Sequence, residues 1–334
     1  MLAPHWERLS DDRAAMTQAN GPKEFQDVLR ERVEQASRGL DQALQCPDEA
    51  SRDLYEAMRY MVLGGGKKLR PVLAMLAAEA CGGRAEQALP AACAVEMVHT
   101  YSLIHDDLPA MDDDDLRHGR PSCHKKFGEA MAILAGDALL TEAFAVLVRG
   151  VVPPVCSPGV NRIAPGEYTR GTAALAKRLV EELAAAAGAG GMVGGQAADL
   201  KAEREGLLDE RLLEVIHRRK TAALITAAVV MGAASAGASR HLERSLRDYA
   251  THLGLAFQIA DDVLDAVGTT ETLGKTAGKD TAAGKLTYVR LYGVEAARQR
   301  SLAEAEQAID ALRVFGHEGD WLRDVARFVV NRKR

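Results

Sequence analysis

The sequence predicts an all-helical protein, and three observations support this. Of the 334 residues 47% are hydrophobic but only 4% are aromatic, and alanine and leucine, both good helix formers, dominate. The alternation typical of strands is scarce, whereas apolar residues recur at helical spacing from Phe25 onwards. A chain of this length can bury a large core. We expect one large domain over residues 22–334, preceded by a loose polar extension over residues 1–21.

Glycines and prolines mark the predicted helix ends in order along the chain. The first helix runs from Phe25 to about Leu44, the second ends at Gly64-Gly65-Gly66, and Pro71 suits the first turn of the third. Further helices are predicted over 88–108, 130–149, 173–187, 208–238, 242–267, 294–312 and 321–330. The proline-rich stretch 151–171 predicts a surface loop and not a domain linker, because the two aspartate clusters described next lie on opposite sides of it.

Two aspartate clusters are the strongest functional signal. They are Asp106, Asp107 and Asp112 in the first, and Asp261, Asp262 and Asp265 in the second. Each is embedded in an apolar helical stretch, where carboxylates are costly unless positive charge compensates them. A few carboxylates with positions left open for phosphates are how proteins hold Mg2+, for which Mn2+ can substitute. Together the clusters predict metal-bridged binding of a diphosphate.

The spacing within each cluster permits a shared ion. Asp261 and Asp265 are four residues apart, so on a helix they lie on one face. Asp106 and Asp112 are six apart, about 240° around an undistorted helix. Pro109 should unwind the backbone and let Asp112 turn back towards Asp106. Taken alone, residues 112–115 would be a solvated acidic turn, and the second cluster an exposed helix face.

Basic residues complement the carboxylates. Lys67, Lys68 and Arg70 follow a glycine run just before a helix start, which suits an anion. His99 lies two turns before Asp106 and could meet a second phosphate, although a lone helical histidine is as often structural. Further cations near the motifs are Arg117, Lys220, Lys275 and Lys285. Formation of a carbocation needs positive charge, from a metal ion and basic side chains, to stabilise the departing diphosphate. It also needs an apolar cavity beside them to hold the cation.

Other features exclude whole classes of protein. The net charge of −5 and the lack of a basic stripe argue against nucleic-acid binding. Five cysteines, odd in number and without a C-x-x-C pair, indicate reduced thiols and a cytoplasmic location, and the charged first residues argue against a secretory signal. Residues 221–239 are uncharged and long enough to span a membrane. They are mostly Ala, Gly, Ser and Thr, so we expect a buried helix and no membrane span.

With these residues assembled, the chain resembles the trans-polyprenyl diphosphate synthases, most closely the bacterial farnesyl diphosphate synthases, from about Phe25 to the C-terminus. The motifs that carry the resemblance are Gly65-Gly66-Lys67-Lys68-Leu69-Arg70-Pro71, the stretch from His99 to Arg117 with the first aspartate cluster, Gly194-Gly195-Gln196 with Asp199, Lys220-Thr221, Phe257-Gln258 before the second cluster, and Gly274-Lys275.

The resemblance implies a fold, an assembly and a reaction. The fold is a single-domain bundle of long antiparallel helices around a central cavity, the isoprenoid synthase fold, usually paired as a homodimer. The reaction is condensation of isopentenyl diphosphate with dimethylallyl or geranyl diphosphate to farnesyl diphosphate. The six aspartates would hold Mg2+ on the allylic diphosphate. Arg117, Lys220, Lys275 and Lys285 would bind substrate diphosphate, Lys67, Arg70 and His99 would hold isopentenyl diphosphate, and Thr221 and Gln258 with Lys220 would stabilise the allylic cation.

Two positions bear on substrate affinity and product length. His118 stands where the family usually has a second arginine, implicated in isopentenyl diphosphate binding. We therefore expect weaker binding above the pKa of His118 and a more pH-sensitive activity. Tyr101, with the small Ser102 beside it, occupies the fifth position before the first cluster. In the family a bulky residue there forms a floor that stops chain growth.

Three alternatives stay open. A geranylgeranyl diphosphate synthase has the same chemistry and a deeper pocket. A class I terpene cyclase is disfavoured, because its second metal motif normally mixes Asn, Ser and Glu. A non-catalytic isoprenoid-binding subunit would be expected to lose one aspartate cluster, and both are present here.

Overall fold

The computed structural model describes residues 24–151, 165–267 and 285–332, with the backbone alone at 165–170. The predicted extension over residues 1–21 lies outside these ranges. The described chain is built from helices: α1 Phe25–Ala43, α2 Arg52–Val62, α3 Leu69–Ala80, α4 Leu89–Asp106, α5 Cys123–Phe127, α6 Glu129–Val151, α7 Pro165–Ala187, α8 Met192–Glu205, α9 Glu210–His217, α10 Ala223–Ser235, α11 Arg240–Val267, α12 Tyr288–Tyr292, α13 Val294–Ala311 and α14 Asp320–Asn331. Short 3-10 turns (Glu49–Ser51, Ala85–Ala88, Arg313–Gly319), a π turn (Arg218–Ala222) and an antiparallel pair, β1 Leu116–Arg117 with β2 Arg120–Pro121, connect them.

Helix α10 lies at the centre of the bundle. Residues from Leu224 to Ala234 are all buried, and the helix packs against α3 on one side and α11 on another. The approach to α3 is close, because a Cβ at Gly232 would stand only 2.0 Å from the carbonyl oxygen of Ala74. The prediction that residues 221–239 form a buried helix is confirmed for α10. Full burial of side chains such as Leu224 stabilises the fold by roughly 1.5–3 kcal/mol each.

The helices that carry the aspartate clusters flank a cavity. Helix α4 packs on α6 and ends in the first cluster, and α11 packs on α13 and carries the second near its C-terminal end. Helix α8 and the π turn complete the cavity wall between them. The bundle therefore brings motifs about 155 positions apart to one opening.

Helix α6 leaves part of its apolar surface uncovered. Ile133, Leu134 and Val148 are 45%, 54% and 47% exposed. Within the described residues α6 is the one helix long and apolar enough to cross a membrane by length and composition, and 39% of its most apolar window is buried. Core helices of soluble proteins pass the same test, so this is weak evidence for a span.

Three sequence predictions need correction. The single helix expected over 208–238 is interrupted by the π turn, which separates α9 from α10. Helix α8 was not predicted, because Gly194 and Gly195 near its start weaken the helical pattern. The loop predicted over 151–171 is wrong at both ends: Val151 is the last residue of α6, and α7 begins at Pro165, a first-turn position that proline tolerates.

Candidate active site

Two adjoining pockets open between α3, α4, α8 and α11. The first, here called the basic pocket, has a volume of about 350 Å³ and is lined by the cations Lys67, Lys68, Arg70, Arg117 and Arg332. The second, the deep pocket, has about 530 Å³ and includes the apolar or aromatic residues Tyr101, Met111, Met192, Val193, Leu200 and Phe257. His99, His118 and Asp261 line both. Both volumes lie in the range of small-molecule sites.

The first aspartate cluster lies where α4 unwinds. The helix ends at Asp106, and the backbone N–H of Asp112 donates to the carbonyl oxygen of Asp106 at 2.8 Å. The turn around Pro109 therefore brings Asp112 back beside Asp106, as the proline predicted. Asp106 lines the deep pocket and accepts a hydrogen bond from Gln196 Nε2 at 2.9 Å. Burial raises its pKa to about 6, with Lys220 opposing and Asp112 adding to the rise.

The second cluster reaches the same space from α11. Asp261 lines both pockets, and its Oδ1 accepts from Arg332 Nη2 at 2.6 Å. The Arg332 side chain is only 6% exposed, and its guanidinium lies 4.1 Å from the Phe257 ring. Asp106 of the first cluster and Asp261 of the second therefore line the same pocket.

The other four aspartates line neither pocket. Asp107 is fully buried and paired with Arg117, whose Nε lies 3.1 Å from Oδ1. Asp112 Oδ1 accepts from Lys285 Nζ at 3.3 Å. Asp262 accepts from Gln258 Nε2 at 3.0 Å and from the Tyr288 backbone N–H at 3.1 Å. Asp265 is buried one turn further along α11. The carboxylates that line the deep pocket are therefore Asp106 and Asp261, with Asp112 beside Asp106.

This donor set fits a hard divalent cation. Carboxylate oxygens from two helices converge on one pocket, and the raised pKa of Asp106 reflects both the loss of water and the negative charge of Asp112. A cation would relieve both effects. A second acidic group, Asp113, Asp115 and His124, also has ligand atoms within 4.8 Å of one another. Its aspartates are exposed and Asp115 is paired with Lys125 at 2.8 Å, so we assign it no ion.

The π turn presents Lys220 and Thr221 to the deep pocket. Lys220 Nζ donates to Asp199 Oδ2 at 2.6 Å. Burial lowers the pKa of Lys220, but Asp199 and Asp106 outweigh it, and the pKa ends above its usual value. Thr221 Oγ1 donates to Gln258 Oε1 at 2.7 Å. The amide of Gln258 in turn donates to the second cluster, so its orientation is set from both sides.

Two glycines allow α8 and α11 to close on this turn. A Cβ at Gly195 would lie 2.3 Å from the Lys220 backbone nitrogen, and one at Gly254 would lie 2.5 Å from Ala222 Cα. Neither contact leaves room for a methyl group. The glycine pair of the Gly194-Gly195-Gln196 motif thus has a packing reason, and Gln196 reaches Asp106 from the same helix.

The predicted isopentenyl-binding residues all line the basic pocket. Lys67, Arg70 and His99 lie there together with Arg117 and His118. Burial, with the charge of Arg70, holds the pKa of His99 well below its usual value, so its ring is neutral. Burial also lowers the pKa of His118, with Arg117 and Lys68 adding to the effect. Lys275 lies outside the described residues, and its role stays a prediction.

Three lining residues were not singled out from the sequence: Glu96, Phe328 and Arg332 all line the basic pocket. Lys68, named with the basic residues, lies there too. Lys68 Nζ donates to the Val62 carbonyl at 2.6 Å and lies 3.5 Å from Glu96 Oε1. Glu96 is three residues before His99, so helical spacing could have found it. Arg332 carries no such signal, because only the tertiary fold brings α14 to α11.

Comparison with known proteins assigns the family. The polyprenyl synthetase family model matches residues 51–315. The chain is 45% identical to the heterodimeric geranylgeranyl pyrophosphate synthase large subunit 1 of Arabidopsis thaliana (87% of this chain, 75% of that protein). It is 43% identical to the farnesyl diphosphate synthase of Escherichia coli K12 (93% and 100%).

Solved structures agree. A geranyltransferase from Legionella pneumophila superposes with a TM-score of 0.78 at 33% identity (92% of this chain, 97% of that one). An FPP/GFPP synthase from Zymomonas mobilis gives 0.76 at 37% identity (92% and 98%). These matches confirm the predicted all-α isoprenoid synthase fold, and the chain belongs to the polyprenyl synthetase family.

Proposed function

We propose that this prenyltransferase condenses isopentenyl diphosphate head-to-tail with dimethylallyl or geranyl diphosphate, with Mg2+ or in its place Mn2+, and that its main product is farnesyl diphosphate. The observation that carries the proposal is the convergence of Asp106 and Asp261 on one pocket, with a cation-lined pocket on one side and an apolar wall on the other. The two substrates together carry two charged diphosphate groups and one apolar prenyl tail, which match the basic pocket and the apolar wall.

The residues around the deep pocket suit ionisation of an allylic diphosphate. Asp106, Asp112 and Asp261 would hold the metal, which supplies Lewis-acid stabilisation of the departing diphosphate. Lys220, fixed by Asp199, adds a positive charge at the same place. The C1–oxygen bond breaks with its electron pair leaving on the diphosphate. Thr221 and Gln258 line the same pocket, and their oxygen dipoles would stabilise the carbocation left behind.

The basic pocket suits the second substrate. Lys67 and Arg70 provide fixed charge for its diphosphate, and neutral His99 can donate or accept a hydrogen bond. The double bond of isopentenyl diphosphate then forms the new carbon–carbon bond with C1 of the cation. Loss of a proton, to the departed diphosphate, completes the reaction, so no side chain is assigned as general base.

One assay tests the proposal. Purified protein is incubated with labelled isopentenyl diphosphate, Mg2+ and either starter, and the products are sized after dephosphorylation. We expect a C15 product and no turnover in EDTA. Asp261→Asn should lower kcat by about 100-fold or more, whereas Asp248→Asn, an exposed position on the same helix, should not. Turnover independent of divalent metal, or none under any condition, contradicts the proposal.

A geranylgeranyl product is the second candidate. Several chloroplast geranylgeranyl pyrophosphate synthases of Arabidopsis thaliana are 45% identical to this chain, as close as the farnesyl diphosphate synthase. The same product sizing separates C15 from C20. A purely non-catalytic subunit is disfavoured, because both aspartate clusters and the basic pocket are retained.

We further propose that two copies of this chain pair through α6. Its outer face exposes Ile133, Leu134 and Val148, and large exposed apolar side chains grouped on one helix often mark a protein–protein interface. A two-fold pairing would cover both copies at once. The cytoplasmic location stays a prediction from the cysteine content.

A further inference from the structure

His105, the residue just before the first aspartate cluster, lines the deep pocket and is held in place by contacts on two helices. Its ring meets the Tyr101 ring edge-on, with centroids 5.7 Å apart and planes at 78°. Both residues line the deep pocket. They are four residues apart on α4, so one ring stands above the other on the same face, in an arrangement that aromatic pairs favour.

The ring of His105 is anchored on α6. Its Nε2 lies 3.1 Å from the carbonyl oxygen of Ile133, and because a carbonyl only accepts, the ring must donate. The position is possible because residue 136 is glycine. A Cβ at Gly136 would lie 2.2 Å from Nε2 and 2.6 Å from Cδ2, so any other residue would push the ring off the helix.

We propose that His105 is a second residue that sets product length: Tyr101 and His105 form a two-ring floor, locked to α6 by the hydrogen bond to Ile133 and the notch at Gly136. This inference rests on the proposed function. Tyr101 alone, on one helix, could swing aside as a prenyl tail grew. With His105 held against it, the tail meets a wall supported by two helices.

Product sizing in variants tests the two-ring floor. In His105→Ala the ratio of the next longer prenyl diphosphate to the wild-type product should rise about tenfold, the scale on which a pocket discriminates a small change in apolar length. His105→Phe keeps a ring beside Tyr101 but loses the hydrogen bond to Ile133, so its shift to longer products should be smaller than that of His105→Ala but measurable. His241→Ala, an exposed histidine on α11 that lines neither pocket, is the matched control and should not change the products.

The outcomes separate the two proposals. A wild-type protein that makes no prenyl diphosphate defeats the proposed function, whereas an active His105→Ala with wild-type products defeats only the floor. A folded but inactive His105→Ala also overturns the inference, because His105 would then belong to the reaction. If His105→Ala does not fold, His105→Phe decides: wild-type products there overturn the lock between His105 and α6.

Discussion

His118 shows how one side chain can set the conditions under which a substrate binds. It lines the basic pocket with φ at 52°, beside Gly66, whose added Cβ would lie 3.1 Å from its Nε2. Because its pKa is lowered from 6.5 by burial and by Arg117, the ring is neutral at physiological pH. The pocket therefore lacks one of the charges that the resemblance led us to expect, and the pH-sensitive range lies lower than the usual histidine pKa.

The first prediction follows from that shift. As the pH falls through the lowered pKa of His118, a positive charge appears in the basic pocket, and the KM for isopentenyl diphosphate should fall. His118→Arg should have a lower KM at pH 7–8, by about tenfold for one charge-assisted contact. Kinetics from pH 5 to 8.5 check this. Because the substrate itself titrates near pH 6, the ratio of the two enzymes is the measure, and a constant ratio of one contradicts the prediction.

The second residue-scale prediction concerns Tyr101, which is only 6% exposed and lines the deep pocket. Tyr101→Ala removes the tyrosine ring from the two-ring floor and should yield longer prenyl diphosphates. Tyr101→Phe keeps the ring and should not. Product sizing distinguishes them, and equal product spectra for the two variants would remove Tyr101 from the floor.

The residue types of the site were predictable, but their individual environments were not. Spacing correctly indicated that Asp112 turns back to Asp106. It could not tell that Asp107 faces inwards to Arg117 or that Asp262 is held by the Tyr288 backbone, because a doublet such as Asp106-Asp107 has no periodicity of its own. Such partners come from elements distant in the chain.

At the scale of elements, the π turn is the feature that positions the chemistry. The sequence pattern predicted one helix over 208–238, but the π turn divides it into α9 and α10. A π turn adds one residue to a helical turn without interrupting the helical backbone, so the apolar pattern gives little sign of it. Long, strongly periodic helices such as α11 and α13 were predicted to within two residues. The close approaches at Gly195 and Gly254 depend on three-dimensional packing and have no local signal.

The third prediction tests that packing. Gly254→Ala should lower the free energy of unfolding by roughly 1–3 kcal/mol through overpacking, and lower kcat because the displaced turn carries Lys220 and Thr221. Urea denaturation and kinetics measure both effects. Gly190→Ala, where an added Cβ meets nothing within 4 Å, is the control. Equal stability and activity in the two variants would show that the contact at Ala222 is not tight.

At the scale of the whole molecule, α6 links the interior to the outside. One side packs on α4 beside the deep pocket, and the other exposes apolar side chains. The all-helical class followed from composition, and the central cavity was implied by the family resemblance. The uncovered face of α6 did not, because apolar residues occupy more than one face of its sequence and only the fold decides which of them is left open.

The fourth prediction concerns assembly. Leu134→Glu places a charge on the exposed face of α6 and should convert a dimer to a monomer at micromolar concentration, because burying an unpaired carboxylate is costly. Light scattering after size exclusion gives the mass. Leu208→Glu, an equally exposed position between α8 and α9, should leave the mass unchanged. A monomeric wild type, or a dimeric Leu134→Glu, excludes this face as the interface.

Ile133 has a position with mechanical consequences. Its side chain faces outwards, while its carbonyl oxygen holds the His105 ring that backs the pocket. The peptide group of Ile133 therefore connects the outer surface of α6 with the wall of the deep pocket. A substitution that displaces the Ile133 peptide group would also displace the His105 ring, so a change on the outer face of α6 would reach the wall of the deep pocket.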